Sequence, residues 1–100
     1  MKKVIVHAQA DLEFRKAMRW YDKRQPGLGR TLRARVDEAL DRIAIDSEAG
    51  AKYRNTEFRF IRVKQFPYIV YYCEIADHLW VSAIAHGRQR ANYWRRRKAN

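Results

Sequence analysis

Two apolar runs, Phe66-Pro67-Tyr68-Ile69-Val70-Tyr71-Tyr72 and Leu79-Trp80-Val81-Ser82-Ala83-Ile84-Ala85, restrict this chain more than any other feature. Both are rich in β-branched and aromatic residues and predict strands over residues 68–75 and 79–86. Ala76-Asp77-His78 between them is the length of a hairpin loop, so the two strands pair antiparallel. Pro67 lacks an amide donor and restricts Phe66, which puts that pair at a turn or strand start. A hairpin of this kind has to be covered on at least one face before it is stable.

The cover lies upstream. Phe14, Ala17, Met18 and Tyr21 recur at i, i+3, i+4 and i+7, which predicts a helix from about Asp11 to Arg24, with Asp11 as its cap. Gln25-Pro26-Gly27 breaks it. Leu28, Leu32, Val36, Ala39, Leu40 and Ile43 form a second stripe, predicting a helix from about Leu28 to Asp46. A break this short makes the two helices an antiparallel hairpin. Lys3 to His7 is β-branched and reads as a strand, residues 46–55 as a loop, and Glu57 to Lys64 as an alternating strand. In that strand Arg59, Ile61 and Val63 share one face, and Phe60, Arg62 and Lys64 the other. The expected fold is α+β, ordered β-α-α-β-β-β, with the helical hairpin on one face of a small, mostly antiparallel four-stranded sheet. A single domain spanning residues 1–100 is expected, its second sheet face left free for function.

Charge narrows the partners. Lys and Arg number 22 against 11 Asp and Glu, a formal net charge of +11. Fifteen of the 22 are Arg, the side chain favoured where phosphate or carboxylate is gripped by two parallel hydrogen bonds. A hydrophobic content of 47% argues against a disordered basic tail. Cys73, the one cysteine, sits in an apolar strand and reads as a buried structural thiol, in keeping with a reducing cytoplasm. The apolar run after Met1-Lys2-Lys3 is too short for a secretion signal, and no segment approaches membrane-spanning length.

The basic residues concentrate in the strand-rich half. Arg59, Arg62, Arg88, Arg90, Arg95, Arg96 and Arg97 are expected to form much of one positive patch, Arg59 being the least secure because alternation sets it opposite Arg62. His7, His78 and His86 are scattered, no His, Cys or carboxylate spacing resembles a metal-ligand set, and no cofactor is expected. Metal-free RNA cleavage has the residue types it needs. His86 and Tyr93 can move protons, Arg62 and Arg88 can hold the phosphate, and Tyr93 and Trp94 can stack on bases. The plainer alternative is that His86 ends a strand while Tyr93 and Trp94 anchor the tail on the core.

Taken in order, Ala10-Asp11-Leu12, Trp20-Tyr21, Pro26-Gly27-Leu28-Gly29, Arg59, Phe66-Pro67-Tyr68 with Ile69 and Tyr71, then His86, Arg88, Arg90, Tyr93-Trp94 and Arg97 resemble the RelE/ParE superfamily of bacterial type II toxin–antitoxin toxins. The resemblance covers nearly the whole chain and is closest to the ParE-like, plasmid-stabilisation branch. It implies a growth-inhibiting cytoplasmic toxin held by a cognate acidic antitoxin, as a homodimer or a toxin–antitoxin hetero-oligomer, with no membrane partner. ParE-like members poison DNA gyrase; RelE-like members are metal-independent, ribosome-dependent messenger RNA endoribonucleases. In the nuclease branch Arg62, His86, Arg88 and Tyr93 would be catalytic. Otherwise Arg59, Arg90, Trp94, Arg95, Arg96 and Arg97 would contact the target or nucleic acid. Gyrase or another macromolecular target is the preferred reading, because the middle strands lack a dense Lys/Arg run and no carboxylate is clearly placed beside His86. A non-toxic basic nucleic-acid-binding module is a further alternative. Trp94 and the three arginines after it are expected to be functional, and removal of residues 92–100 is expected to leave a folded domain.

Overall fold

The computed structural model describes residues 1–88 and 93–97. Its elements are β1 (Lys3–Val6), α1 (Ala8–Arg24), α2 (Leu28–Ile45), β2 (Ala51–Lys52), β3 (Arg59–Arg62), β4 (Tyr68–Ile75) and β5 (His78–His86). The helical hairpin forms where the two apolar stripes predict it, but α1 starts at Ala8. His7 caps it in place of Asp11, accepting a hydrogen bond at Nδ1 from the Gln9 amide at 3.0 Å. Asp11 falls in the first turn, where its charge suits the helix dipole, and pairs with Arg15.

The turn into α2 depends on glycine. Gly27 adopts a φ of 90°, a left-handed conformation that L side chains rarely take. The Asp22 carboxylate then accepts a hydrogen bond from the Gly29 amide at 2.7 Å, meeting an orphan donor at the new helix's start. A Cβ on Gly29 would lie 2.4 Å from the Met18 carbonyl oxygen, so the two helices can approach this closely only with glycine there.

The sheet has five strands in the order β1-β5-β4-β3-β2 and is mixed, which corrects the expected four-stranded count. β1 pairs parallel with β5, and the remaining pairs are antiparallel. The extra strand, β2, is two exposed residues inside the stretch read as loop, too short to carry any pattern. The hairpin turn is tighter than expected: Ile75 pairs with His78 around Ala76-Asp77, with Ala76 at a φ of 56°.

The first core lies between the helices and the sheet. Phe14, Leu32, Val36 and Ile43 pack on Val70, Tyr72, Leu79, Val81 and Ile84. Leu32, Ile43 and Leu79 are fully buried, and burying each such side chain is worth about 1.5–3 kcal/mol. In β5 a bulge alters the alternation. Tyr71 pairs with Ala83 but Tyr72 with Val81, leaving Ser82 without a cross-strand partner. Leu79, Val81 and Ile84 therefore face the helices, while Trp80, Ala83 and Ala85 face the opposite side.

That opposite face is not free. Tyr53, Phe58, Cys73, Trp80, Ala83, Ala85 and Trp94 form a second core on it. The loop from β2 to β3 and the C-terminal tail supply its outer layer, so the open functional face expected from the sequence is a packed one.

Candidate functional site

Three strand ends meet at one margin of the sheet, where β3 and β5 finish and β4 begins. His86 closes β5 opposite Tyr68, their rings edge to face at 5.4 Å. The His86 Nδ1 accepts a hydrogen bond from the Arg88 amide at 3.0 Å. Its side chain lines a groove of about 430 Å³ between α1 and the sheet, together with Ala17, Trp20, Tyr21, Tyr68 and Ile84. Trp20 leaves 49% of its surface in solvent, and the Arg24 guanidinium lies 3.6 Å over its ring. Lys16 adds a second cation to the rim and Glu13 its one carboxylate. An apolar floor with a mainly cationic rim suits an amphipathic segment with acidic flanks.

The tail is tied down at several points. Trp94, 1% exposed, stacks on Tyr71 with ring centroids 4.4 Å apart and meets Phe58 edge-on. Its carbonyl accepts a hydrogen bond from Ser82 Oγ at 3.0 Å, and the Ser82 carbonyl accepts one from Arg97 Nη1 at 2.9 Å. The bulge residue thus serves as the socket for the tail. Arg97 also donates from Nη2 to Glu13 Oε2 at 2.7 Å, and its side chain is only 8% exposed. The Tyr93 hydroxyl donates to the same carboxylate at 3.4 Å. Burial first, and the Glu13 charge second, push the Tyr93 phenol up to about 12.

Against this geometry the sequence-based candidates separate. Alternation puts Arg62 on the face opposite Ile61, which packs under the helices, whereas His86 opens onto the helix-side groove. Arg62 reaches a cleft beside α2 from the sheet edge, so Arg62 and His86 share a sheet margin but not a cavity. Arg59 is half-buried, and its guanidinium donates to the Gly50 carbonyl at 2.8 Å, closing the loop after α2 rather than joining a patch. Arg97 is spent on Glu13 and Ser82, and Trp94 is a core residue without a face for a base. Arg88, Arg95 and Arg96 are exposed. Arg90 lies outside the described residues. The expectation that residues 92–100 are dispensable for folding does not fit a buried Trp94; the packing alternative weighed for that residue is the one realised.

Glu13 and Ser82 were not singled out by sequence reasoning. Ser82 did carry a signal, as the one hydroxyl in an otherwise apolar strand; Glu13 looks like any solvated helix residue. Cys73 is buried in the second core, and burial pushes its thiol up to about 11, so it stays protonated and inert near neutrality. Among the described residues no group of three or more His, Cys, Asp and Glu could hold a metal ion. No helix among them is long and apolar enough to cross a membrane.

Comparison with known proteins gives the following. The family described as "ParE toxin of type II toxin-antitoxin system, parDE" matches residues 4–91. No curated protein matches the sequence significantly. Eight chains of solved structures match the fold. One, described as "Chromosomal ParDE TA system from P. aeruginosa", superposes with a TM-score of 0.76 at 11% identity, covering 86% of this chain and 96% of that one. At that identity the likeness bears on the fold alone.

Proposed function

The chain belongs to the ParE toxin family of type II toxin–antitoxin systems, and from that membership we propose that it arrests growth by gripping DNA gyrase, without cutting RNA. It is a ParE-like type II toxin, and a system of this kind includes a cognate antitoxin. The observation that carries the choice of target class is the dispersal of the nuclease candidates. Cleavage needs a base and an acid within hydrogen-bond reach of one phosphate. Tyr93 is bound to Glu13 and raised to about 12, so it neither takes nor gives a proton readily near neutrality. His86 lines the groove beside α1, whereas Arg62 lines a separate cleft beside α2. A protein that works by binding has no such requirement, and the exposed Arg88, Arg95 and Arg96 are the surface we assign to the target.

The antitoxin, in this reading, occupies the groove of Trp20, Tyr21, Tyr68 and His86. An amphipathic helix there would bury the exposed Trp20 and set acidic side chains beside Lys16 and Arg24. The chain acts as one toxin domain in the cytoplasm, stored as a toxin–antitoxin hetero-oligomer.

The experiment is incubation of the purified chain with gyrase and supercoiled plasmid, followed by protein denaturation and electrophoresis. Linear DNA that depends on both proteins is the expected result. Loss of toxicity in an Arg88→Gln, Arg95→Gln, Arg96→Gln variant of unchanged stability would assign the surface. Mapping of RNA ends after induction supplies the opposite arm. Codon-phased breaks that vanish in His86→Ala, with plasmid left intact, would replace this reading by the endoribonuclease.

A further inference from the structure

A second concavity lies on the other flank of the molecule, between α2 and the margin of β3. It has a volume of about 200 Å³ and is lined by Arg35, Ala39, Arg42, Ile61, Arg62 and Lys64, with Glu38 as its one carboxylate. β2 pairs only with Arg59 and Phe60, so past Phe60 the strand is the free edge of the sheet. Arg62 and Lys64 line the cleft from that edge, and Arg35 and Arg42 line it from α2. The two helix arginines are two turns apart, roughly 10 Å along one face. Two rows of cations thus flank a narrow channel.

Among the described residues, three of the four cleft cations are not neutralised from within. Glu38 is paired with Arg35. Among the described residues Arg42, Arg62 and Lys64 have no carboxylate partner. Arg35 is also fixed in direction, because its Nε donates to the Gln65 side-chain oxygen at 3.0 Å. Gln65 holds a φ of 75°, an uncommon conformation for a residue with a side chain, in the turn that begins at Lys64. Strain of this kind persists where surrounding contacts over-determine it, and here it orients one guanidinium of the cleft.

We propose that this α2–β3 cleft binds the phosphodiester backbone of a nucleic acid. The lining decides between a polyanion and an acidic protein segment. A protein segment gains most of its affinity from apolar side chains, and the cleft offers only Ala39 and Ile61. It has no aromatic side chain on which a base could stack, so it contacts backbone and reads no sequence. The chemistry required is a regular row of phosphates, which arginine forks hold well. The site is separate from the apolar groove on α1, and it stands whether or not gyrase is the target.

The test is fluorescence anisotropy of the full chain with a labelled DNA duplex of arbitrary sequence over a series of salt concentrations. Each phosphate contact contributes about 0.9 to the slope of log affinity against log salt. An Arg42→Gln, Arg62→Gln, Lys64→Gln variant should therefore lose about 2.7 from that slope and bind on the order of tenfold or more weakly. The Arg88→Gln, Arg95→Gln, Arg96→Gln variant is the control, since these exposed arginines do not line the cleft. Unchanged binding in the cleft variant, with loss only in the control, overturns the proposal. So does poly-glutamate that competes as well as DNA, which would make the partner an acidic protein. Should the cleft variant be unfolded, side-chain Nε–Hε NMR signals of the unaltered chain decide. Shifts of Arg35, Arg42 and Arg62 on addition of duplex support the site, and their constancy while Arg88, Arg95 or Arg96 shift refutes it.

Discussion

The two faces of the sheet are covered in different ways. On one, two amphipathic helices joined by a glycine turn bury a broad aliphatic layer of Leu, Val and Ile. On the other, a loop and a short tail bury an aromatic layer built on Tyr53, Phe58, Trp80 and Trp94. The helices have internal hydrogen bonds to support them; residues 93–97 of the tail have one, from the Arg97 amide to the Trp94 carbonyl at 3.1 Å, and rely on their contacts. Aromatic rings give a few residues enough buried area to hold a segment that lacks regular structure. The Ser82 hydroxyl satisfies the Trp94 carbonyl of the tail, and Arg97 in return satisfies the Ser82 carbonyl at the bulge.

The most direct way to break this contrast is Trp94→Ala. If the tail is a true core layer, the loss should be about 3–5 kcal/mol, comparable with Leu32→Ala on the helix side. Urea unfolding followed by circular dichroism reads it, and a cost below about 1 kcal/mol, the ordinary surface range, would reduce the tail to a decoration. Deletion of residues 92–100 should be at least as severe and should yield a chain without a cooperative unfolding transition.

A sharper test addresses Glu13, the residue that joins the two layers. It stands on α1 yet holds Arg97 and Tyr93 of the tail. Glu13→Ala leaves the Arg97 guanidinium buried beside Tyr93 with one partner fewer. The expected cost is about 1–3 kcal/mol, at the low end of buried-pair losses because Glu13 keeps 37% of its side chain in water. Arg97→Met should cost less than Glu13→Ala, since it removes the charge that needs a partner. Equal costs in a double-mutant cycle without coupling would mean that the layers are held independently.

The smallest effect is a titration. Burial raises Tyr68 and Tyr72 under the helices and Tyr71 and Tyr93 under the tail, with Tyr93 reaching about 12. A phenol whose folded pKa lies above its unfolded value near 10 keeps its proton in the folded state while the unfolded chain loses it. Stability is therefore fully present below pH 10 and falls as pH rises from about 10 to 12. Tyr93→Phe should remove part of that alkaline slope, while below pH 9 any change in stability it causes should not vary with pH. An unaltered slope would mean that Tyr93 titrates in contact with water.

The two faces also differ in how far the sequence disclosed them. The helix side was legible because a repeat at i, i+3, i+4 and i+7 reports burial directly, and Phe14, Leu32, Val36 and Ile43 all lie where it predicts. The second face was not. In β5 every position from Leu79 to Ala85 is buried, so the run carried no alternation from which a bulge could be read. Parallel pairing of β1 with β5 joins residues far apart in sequence, and no local pattern encodes it. For the site, His86, Arg88, Tyr93 and Trp94 were singled out by residue type alone. Their separation depended on which face each strand end presents and on Glu13, whose role exists only once the tail has folded back.

β5 lies between β1 and β4, carries the bulge, and packs against α1. Lys3, near the beginning, finds its partner in His78. That pairing cannot form until β5 is present, and Trp94 cannot seat until Tyr71 and Ser82 are in place. During synthesis the helical hairpin is made early but has no sheet against which to rest until residue 86 is added. A growth-arresting protein with this order of assembly stays harmless as a nascent fragment. Its dangerous form and its finished fold arrive together, once Trp94 is in place.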